Sequence, residues 1–115
     1  MANTFKVITK ANVTSADVIY TVAGSTTTVI LGLVLGNTTT SHVTTTVSLA
    51  SDTGSRAGAN NEANQTVELV TNAPIPAGSS LEMLAGNKVV METTDALSVT
   101  GSGSTDVCLS IMEIT

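Results

Sequence analysis

Residues 26–36 read TTTVILGLVLG, and this stretch decides the fold class. Apolar side chains recur there at every second position: Val29, Leu31, Leu33 and Leu35. A period of two is typical of a β-strand. The opposite face holds Ile30 and Val34 with two glycines, so we predict a central strand that is covered on both sides. The glycines also predict that another backbone approaches closely here.

The composition extends this pattern to the whole chain. Of 115 residues, 21 are Thr, 14 are Val and 6 are Ile. β-Branched side chains lose rotamer freedom in helices and fit a pleated surface, and a chain of this length is expected to form one domain. We therefore predict an all-β, single-domain β-sandwich with jelly-roll-like character over residues 1–115. It should contain about nine short strands at spacings of roughly 8–12 residues, and no helix.

Further strands are predicted from the same alternation at residues 5–9, 17–22, 42–50, 66–71, 96–100 and 106–114. Their inward side chains should be Val43, Val47, Leu49, Leu97 and Val99, and in the last strand Val107, Leu109 and Ile111 alternate with Cys108, Ser110 and Met112. Residues 1–16 are a candidate N-terminal arm. Residues 51–65 (SDTGSRAGANNEANQ) have no periodicity and are predicted to be a long polar loop.

Residues 80–93 (SLEMLAGNKVVMET) predict a β-hairpin. A three-residue loop over 85–87 would place Met83 opposite Val89 and Leu81 opposite Met91. That register collects the apolar side chains on one face, and the buried face sets the register of a strand pair.

The composition argues against several classes of partner. Phe5 and Tyr20 are the only aromatic residues, whereas surfaces that bind single-stranded nucleic acid rely on aromatic stacking. The net charge is −5 with only four cationic side chains, which disfavours nucleic acid and anionic membranes. The N-terminus lacks the apolar core of a signal peptide, and the apolar run 29–35 is far shorter than the roughly 20 residues that span a bilayer. We expect a soluble chain made in the cytoplasm, without nucleic acid or membrane as partner.

One short motif resembles catalytic machinery. The segment SDTGS contains the Asp-Thr-Gly-Ser signature of aspartic proteases, in which a dimer would bring two Asp52 carboxylates together to share one proton. In such proteases the signature follows apolar residues of a buried strand, whereas here it opens a polar loop. A solvated turn is the favoured interpretation, and a dimeric protease that uses Asp52 is a remote alternative.

The remaining reactive residues are isolated in the sequence. Cys108 lies in the apolar run VCLSIMEI and is predicted to be a buried small hydrophobe. His42 has no motif that links it to Cys108, and the carboxylates are dispersed without the spacing of a calcium loop. We predict no catalytic, cofactor-binding or metal-ligating residue and no cofactor, and we expect that the protein is not an enzyme.

The chain resembles a known group of proteins along most of its length. The resemblance is carried by NAPIPAGSSLEMLAGNKVVMETTDALSV (72–99), DVCLSIMEI (106–114), the opening MANTFK and the segment TTTVILGLVLGNTT (26–39). In these stretches it is similar to small structural proteins of tailed bacteriophage virions, particularly from phages of cyanobacteria and other aquatic bacteria. It departs from them in the longer 51–65 loop, and no site residue is carried over.

The resemblance implies a non-enzymatic virion component made in the host cytoplasm. A small acidic Thr-rich β domain suits a capsid decoration (cement) protein, which would bridge capsomers and bind the major capsid protein or other virion proteins. Such proteins usually form trimers, so a homotrimer or another homo-oligomer is expected. A subunit of the neck, tail or fibre has the same requirements and stays open as the alternative.

Overall fold

The computed structural model describes residues 2–51, 65–84 and 88–115. Over these residues the chain forms nine strands and no helix: β1 (Asn3–Val13), β2 (Ala16–Thr21), β3 (Thr27–Asn37), β4 (Val43–Ser51), β5 (Gln65–Ile75), β6 (Ser80–Met83), β7 (Val89–Met91), β8 (Ala96–Gly101) and β9 (Thr105–Ile114). No helix in these ranges is long and apolar enough to cross a membrane. The predicted all-β, single-domain β-sandwich is confirmed.

The strands form two antiparallel sheets that pack face to face. The front sheet has the order β1-β9-β3, and β6 and β7 both pair with the remaining side of β3. The back sheet has the order β2-β8-β4-β5. The antiparallel strand pairs are nested in the sequence, as in one long hairpin that folds over on itself. From the outermost pair inward they are β1·β9, β2·β8, β3·β6/β7 and β4·β5. A five-strand and a four-strand layer connected in this way form a jelly roll, in which β6 and β7 together take the place of one strand.

The core lies between the sheets, and none of its fully buried side chains is aromatic. Its fully buried apolar side chains are Val13, Val22, Ile30, Leu33, Leu35, Val43, Val47, Ile75, Met91, Leu97, Val99, Val107, Leu109 and Ile111. Of the five side chains predicted to point inward, Val43, Val47, Leu97 and Val99 are in this set. Leu49, the fifth, is partly buried and packs against the same core.

In strand β3 the alternation of inward and outward side chains is interrupted at Leu31. Leu33 and Leu35 are buried as predicted, but in the first half of the strand Ile30 is buried whereas Val29 and Leu31 are not. The register between β3 and β9 shifts between Ile30 and Gly32, so Leu31 is the extra residue of a β-bulge. A bulge moves every later side chain by one face, and the predicted single face from Val29 to Leu35 is therefore wrong. The outer side of β3 is also uncovered, because Val34 is 39% exposed.

The hairpin predicted over residues 80–93 does not form. β6 pairs with residues 33–36 of β3, and β7 pairs with residues 28–30 of the same strand, both antiparallel. The two short strands therefore lie end to end along one edge of β3, and the three-residue loop 85–87 lies outside the described residues. The inward face was predicted correctly, since Leu81, Met83 and Val89 pack against the core and Met91 is buried within it. Pairing with β3 turns the same apolar face toward the core as the predicted hairpin would.

Candidate assembly surface

The residues singled out for chemistry are scattered or lie outside the described part of the chain. Asp52 lies outside the described residues, as do all positions from 52 to 64. His42 is exposed and precedes β4. Among residues 2–51, 65–84 and 88–115, no three His, Cys, Asp or Glu side chains come together in a group that could hold a metal ion.

Cys108 is exposed, and its predicted burial is wrong. Its neighbours Val107 and Leu109 both point into the core. Because successive side chains of a strand alternate between faces, Cys108 points out from the front sheet. The alternation of the DVCLSIMEI segment is consistent with an exposed Cys108, whereas the general apolarity of the segment suggested burial.

One polar cluster joins the two sheets at an end of the core. The Tyr20 hydroxyl, on β2, donates a hydrogen bond to Glu113 Oε2 of β9 at 2.6 Å. The buried Thr28 Oγ1 lies 2.7 Å from the Tyr20 oxygen and donates to it. Lys6 Nζ lies 2.7 Å from Glu113 Oε1, and the Glu113 side chain is only 14% exposed. All four groups are satisfied, so this cluster fastens the sheets together.

The electrostatics of the cluster follow from its contacts. Burial, followed by the hydrogen bond with Glu113, raises the pKa of Tyr20 to about 12. The hydrogen bonds from Lys6 and then Tyr20 lower the pKa of the Glu113 carboxyl. Sequence reasoning missed this cluster, because Lys6 and Glu113 come from opposite ends of the chain. The available signal was Tyr20 itself, since a buried tyrosine usually finds a partner for its hydroxyl.

The outer side of the front sheet, which we call the front face, carries one row of apolar side chains and two rows of mixed polarity. Strand register aligns the first row across four strands: Phe5, Met112, Val29 and Val90. The second row contains Val7, Ser110 and Gly32, and the third contains Thr9, Cys108, Val34 and Glu82. Phe5 is 70% exposed and Val90 is 58% exposed. Neighbouring exposed apolar side chains make the front face the candidate assembly surface.

A hollow of about 340 Å³ opens on the front face at the third row. Its lining includes Thr9, Ala11, Val34, Gly36, Asp106 and Cys108. The β1–β9 register is broken between Lys10 and Val13, where Asn12 takes a left-handed φ of 58°. Its backbone N–H donates to Asp106 Oδ1 at 3.0 Å, which fixes this rim of the hollow.

Strand β1 lies at the edge of the front sheet and is scarcely covered. Its partner is β9, from the pair Asn3 and Ile114 to the pair Val13 and Thr105. From residue 2 to residue 12 every side chain is exposed except the half-buried Ile8. Within the candidate arm 1–16, residues 3–13 thus form a strand that is held mainly by its main chain.

Comparison with known proteins adds information about the fold. No protein-family model and no curated protein match the chain. A chain of the T13 IBDV viral particle aligns with 96% of this chain at 11% identity and a TM-score of 0.50. This chain spans only 35% of that viral chain. A subunit of the disulfide-linked pili of Bacillus endospore appendages aligns over 96% of this chain and 85% of its own length, at 17% identity and a TM-score of 0.45.

Proposed function

We propose that this chain is a structural subunit of a bacteriophage virion, with no enzymatic role, and that it acts as a capsid decoration protein. The observation that carries the proposal is the front face, a sheet surface on a small jelly roll that exposes Phe5, Val7, Val34 and Val90. Such a surface is suited to permanent contact with other protein, because removing it from water stabilises the contact.

Two further observations support this role. The jelly roll is an architecture that viral shells use, and a chain of the T13 IBDV viral particle has the same overall fold at a TM-score of 0.50. The resemblance of residues 72–99 and 106–114 to structural proteins of tailed phages adds the class of virus. The partner proposed on this basis is the major capsid protein.

A decoration protein would act by mass action. A protein that binds the assembled shell and not its dissociated subunits stabilises the shell in proportion to the logarithm of its free concentration over Kd. At a free concentration of 100 times Kd, this amounts to about 2.7 kcal/mol per site. Many weak sites on one shell therefore add up to a large resistance to rupture.

The test is the copy number of this chain per virion, measured by quantitative mass spectrometry against the major capsid protein. A ratio near one copy per capsid subunit is expected, together with a lower rupture temperature for virions that lack the chain. A few to a few dozen copies would place the chain in the neck, tail or fibre and would contradict the decoration role. Absence from purified virions would overturn the structural role in the phage altogether.

A further inference from the structure

We infer that the front face is a self-association surface, on which a second copy of this chain packs so that Phe5 of each copy enters the hollow of the other. This inference concerns the purified chain; on the virion, the second copy and the capsid protein would compete for the front face.

The first argument is that the protruding Phe5 side chain and the hollow lie on the same face, at equal distances from its middle row. Phe5 stands in the first row and the hollow opens at the third row, one on each side of the row of Val7, Ser110 and Gly32. Rows are about 6.6 Å apart, because each step spans two residues of a strand. A two-fold axis that runs across the strands along the middle row exchanges the first and third rows. Each copy then provides one protrusion and one hollow, which is the self-complementary pattern of a two-fold interface.

The facing rows are compatible in size and charge. Under this axis Phe5 faces the hollow beside Thr9, Met112 faces Cys108, and Val29 faces Val34. At the far edge, Glu82 of one copy faces Val90 of the other, so the third-row carboxylates do not meet. The exposed phenyl ring, the only one in the chain, would then be buried in an apolar hollow instead of in water.

The second argument comes from Gly32, where a single copy has room for a side chain. Its φ is not positive, and a Cβ added there would meet no atom within 4 Å. Glycine in a strand interior weakens the strand and often marks either a bulge, such as the one at Leu31, or a close approach of another backbone. Gly32 and the small Ser110 share the middle row, which is where two sheets related by this axis approach most closely.

The third argument is the area available. Four strands about 4.8 Å apart and about ten residues long at 3.3 Å per residue give a face of roughly 600 Å². Two copies would bury about 1,200 Å² in total, which reaches the lower end of the range for stable specific interfaces. A weak to moderate dimer is therefore expected, with the aromatic anchor Phe5 as its dominant contact.

The test is sedimentation velocity of the purified full chain over a range of concentrations, with three variants. Phe5→Asp removes the anchor, and Gly32→Val adds bulk at the axis while leaving room within one copy. Val67→Asp is the matched control, because Val67 is 52% exposed and lies on β5 of the back sheet. We expect a dimer whose Kd rises about 30-fold or more in Phe5→Asp and Gly32→Val, and changes less than about threefold in Val67→Asp.

A second measurement reports on the face directly through Cys108. Its exposed thiol should react with a small disulfide reagent about tenfold or more slowly above the dimer Kd than below it, and the Phe5→Asp variant should lose this protection. Thermal unfolding of each variant separates loss of assembly from loss of fold.

Three outcomes would overturn the inference. They are a wild-type chain that stays monomeric at about 100 µM, an oligomer that Val67→Asp disrupts as strongly as Phe5→Asp, and a trimer in which Cys108 remains fully reactive. The virion role is judged separately by the copy number. A dimer with the expected sensitivities would stand even if the chain were absent from virions.

Discussion

At the scale of single residues, the hydroxyl of Tyr20 ties the back sheet to the front sheet. It is hydrogen-bonded to Glu113 and Thr28, and Lys6 completes the cluster from the edge strand β1. A core without other buried aromatic rings packs only aliphatic and Met side chains between the sheets, and these have no directional preference. We infer that this cluster sets the relative position of the two sheets at this end of the sandwich.

The cluster predicts how stability depends on pH. The pKa of Tyr20 rises from 10.0 to about 12 on folding, so its contribution is complete below pH 10 and is lost as the pH rises through about 12. The pKa of Glu113 falls below 4.5 on folding, so its contribution is present above that pH and is lost as the pH falls through the folded value. Stability should therefore decline at both extremes.

Tyr20→Phe should lower the free energy of unfolding by about 1 kcal/mol at neutral pH, since one hydroxyl and its bonds are removed. It should also flatten the loss of stability between pH 10 and 12. Phenolate absorbance provides an independent check, because Tyr20 is the only tyrosine. A phenolate midpoint near 10.0 in the folded wild-type protein would contradict the cluster.

A second residue-scale prediction concerns Gly101, at the end of β8. A Cβ at this position would lie 2.6 Å from the carbonyl oxygen of Val13 and 2.9 Å from that of Gly103. Backbone atoms cannot move aside cheaply, so Gly101→Ala should destabilise the fold by roughly 1–3 kcal/mol in urea unfolding. Gly24→Ala is the control, because a Cβ there meets nothing within 4 Å. Equal stability of the two variants would show that the β8–β9 turn relaxes.

At the scale of elements, the bulge in β3 decides which side chains build the core. Ile30 is fully buried, whereas Leu31 lies outside the core cluster. Ile30→Ala should cost roughly 2–5 kcal/mol of unfolding free energy, and Leu31→Ala should cost less than about 1 kcal/mol. Uninterrupted alternation through residues 29–35 predicts the reverse order, so urea unfolding of the two variants separates the two arrangements.

The strands that the sequence predicted well are those whose alternation is unbroken. Val43 and Val47 of β4 and Val107 and Leu109 of β9 alternate with polar or small residues, so one face is plainly apolar. The run around Leu31 contains no polar residue, so its sequence gives no sign of which residue forms the bulge. Local patterns also cannot choose a strand's partner. The inward face of residues 81–91 was visible, but the choice of β3, some 50 residues away, depends on the whole sheet.

The candidate surface was less accessible to sequence reasoning than the fold. The sequence contains Phe5, Gly32 and Cys108, but nothing in it brings these residues onto one face. Their juxtaposition depends on the pairing of β1 and β3 with β9. The glycines of residues 26–36 predicted a close backbone approach, but within one copy a Cβ at Gly32 would meet no atom within 4 Å, so the fold of the single chain does not provide it.

At the scale of the whole molecule, the fold divides into a core and an edge. Residues 2–10 contribute no fully buried side chain, although they carry Phe5 and form much of the front face. A chain that lacks residues 1–10 should therefore still unfold cooperatively, at a lower temperature because Lys6 and Ile8 are lost. It should also sediment as a monomer at every concentration. Complete loss of β-sheet circular dichroism would show instead that β1 is essential to the fold.

The position of β9 between β1 and β3 has a consequence for how the nascent chain folds during synthesis. A ribosome delivers β1 and β3 early, but the strand that joins them follows every other strand in the sequence. The front sheet therefore cannot close before β9 has been synthesised, because β1 and β3 pair with β9 and not with each other. The nascent chain passes through a stage in which it is a natural client for chaperones that hold exposed apolar segments.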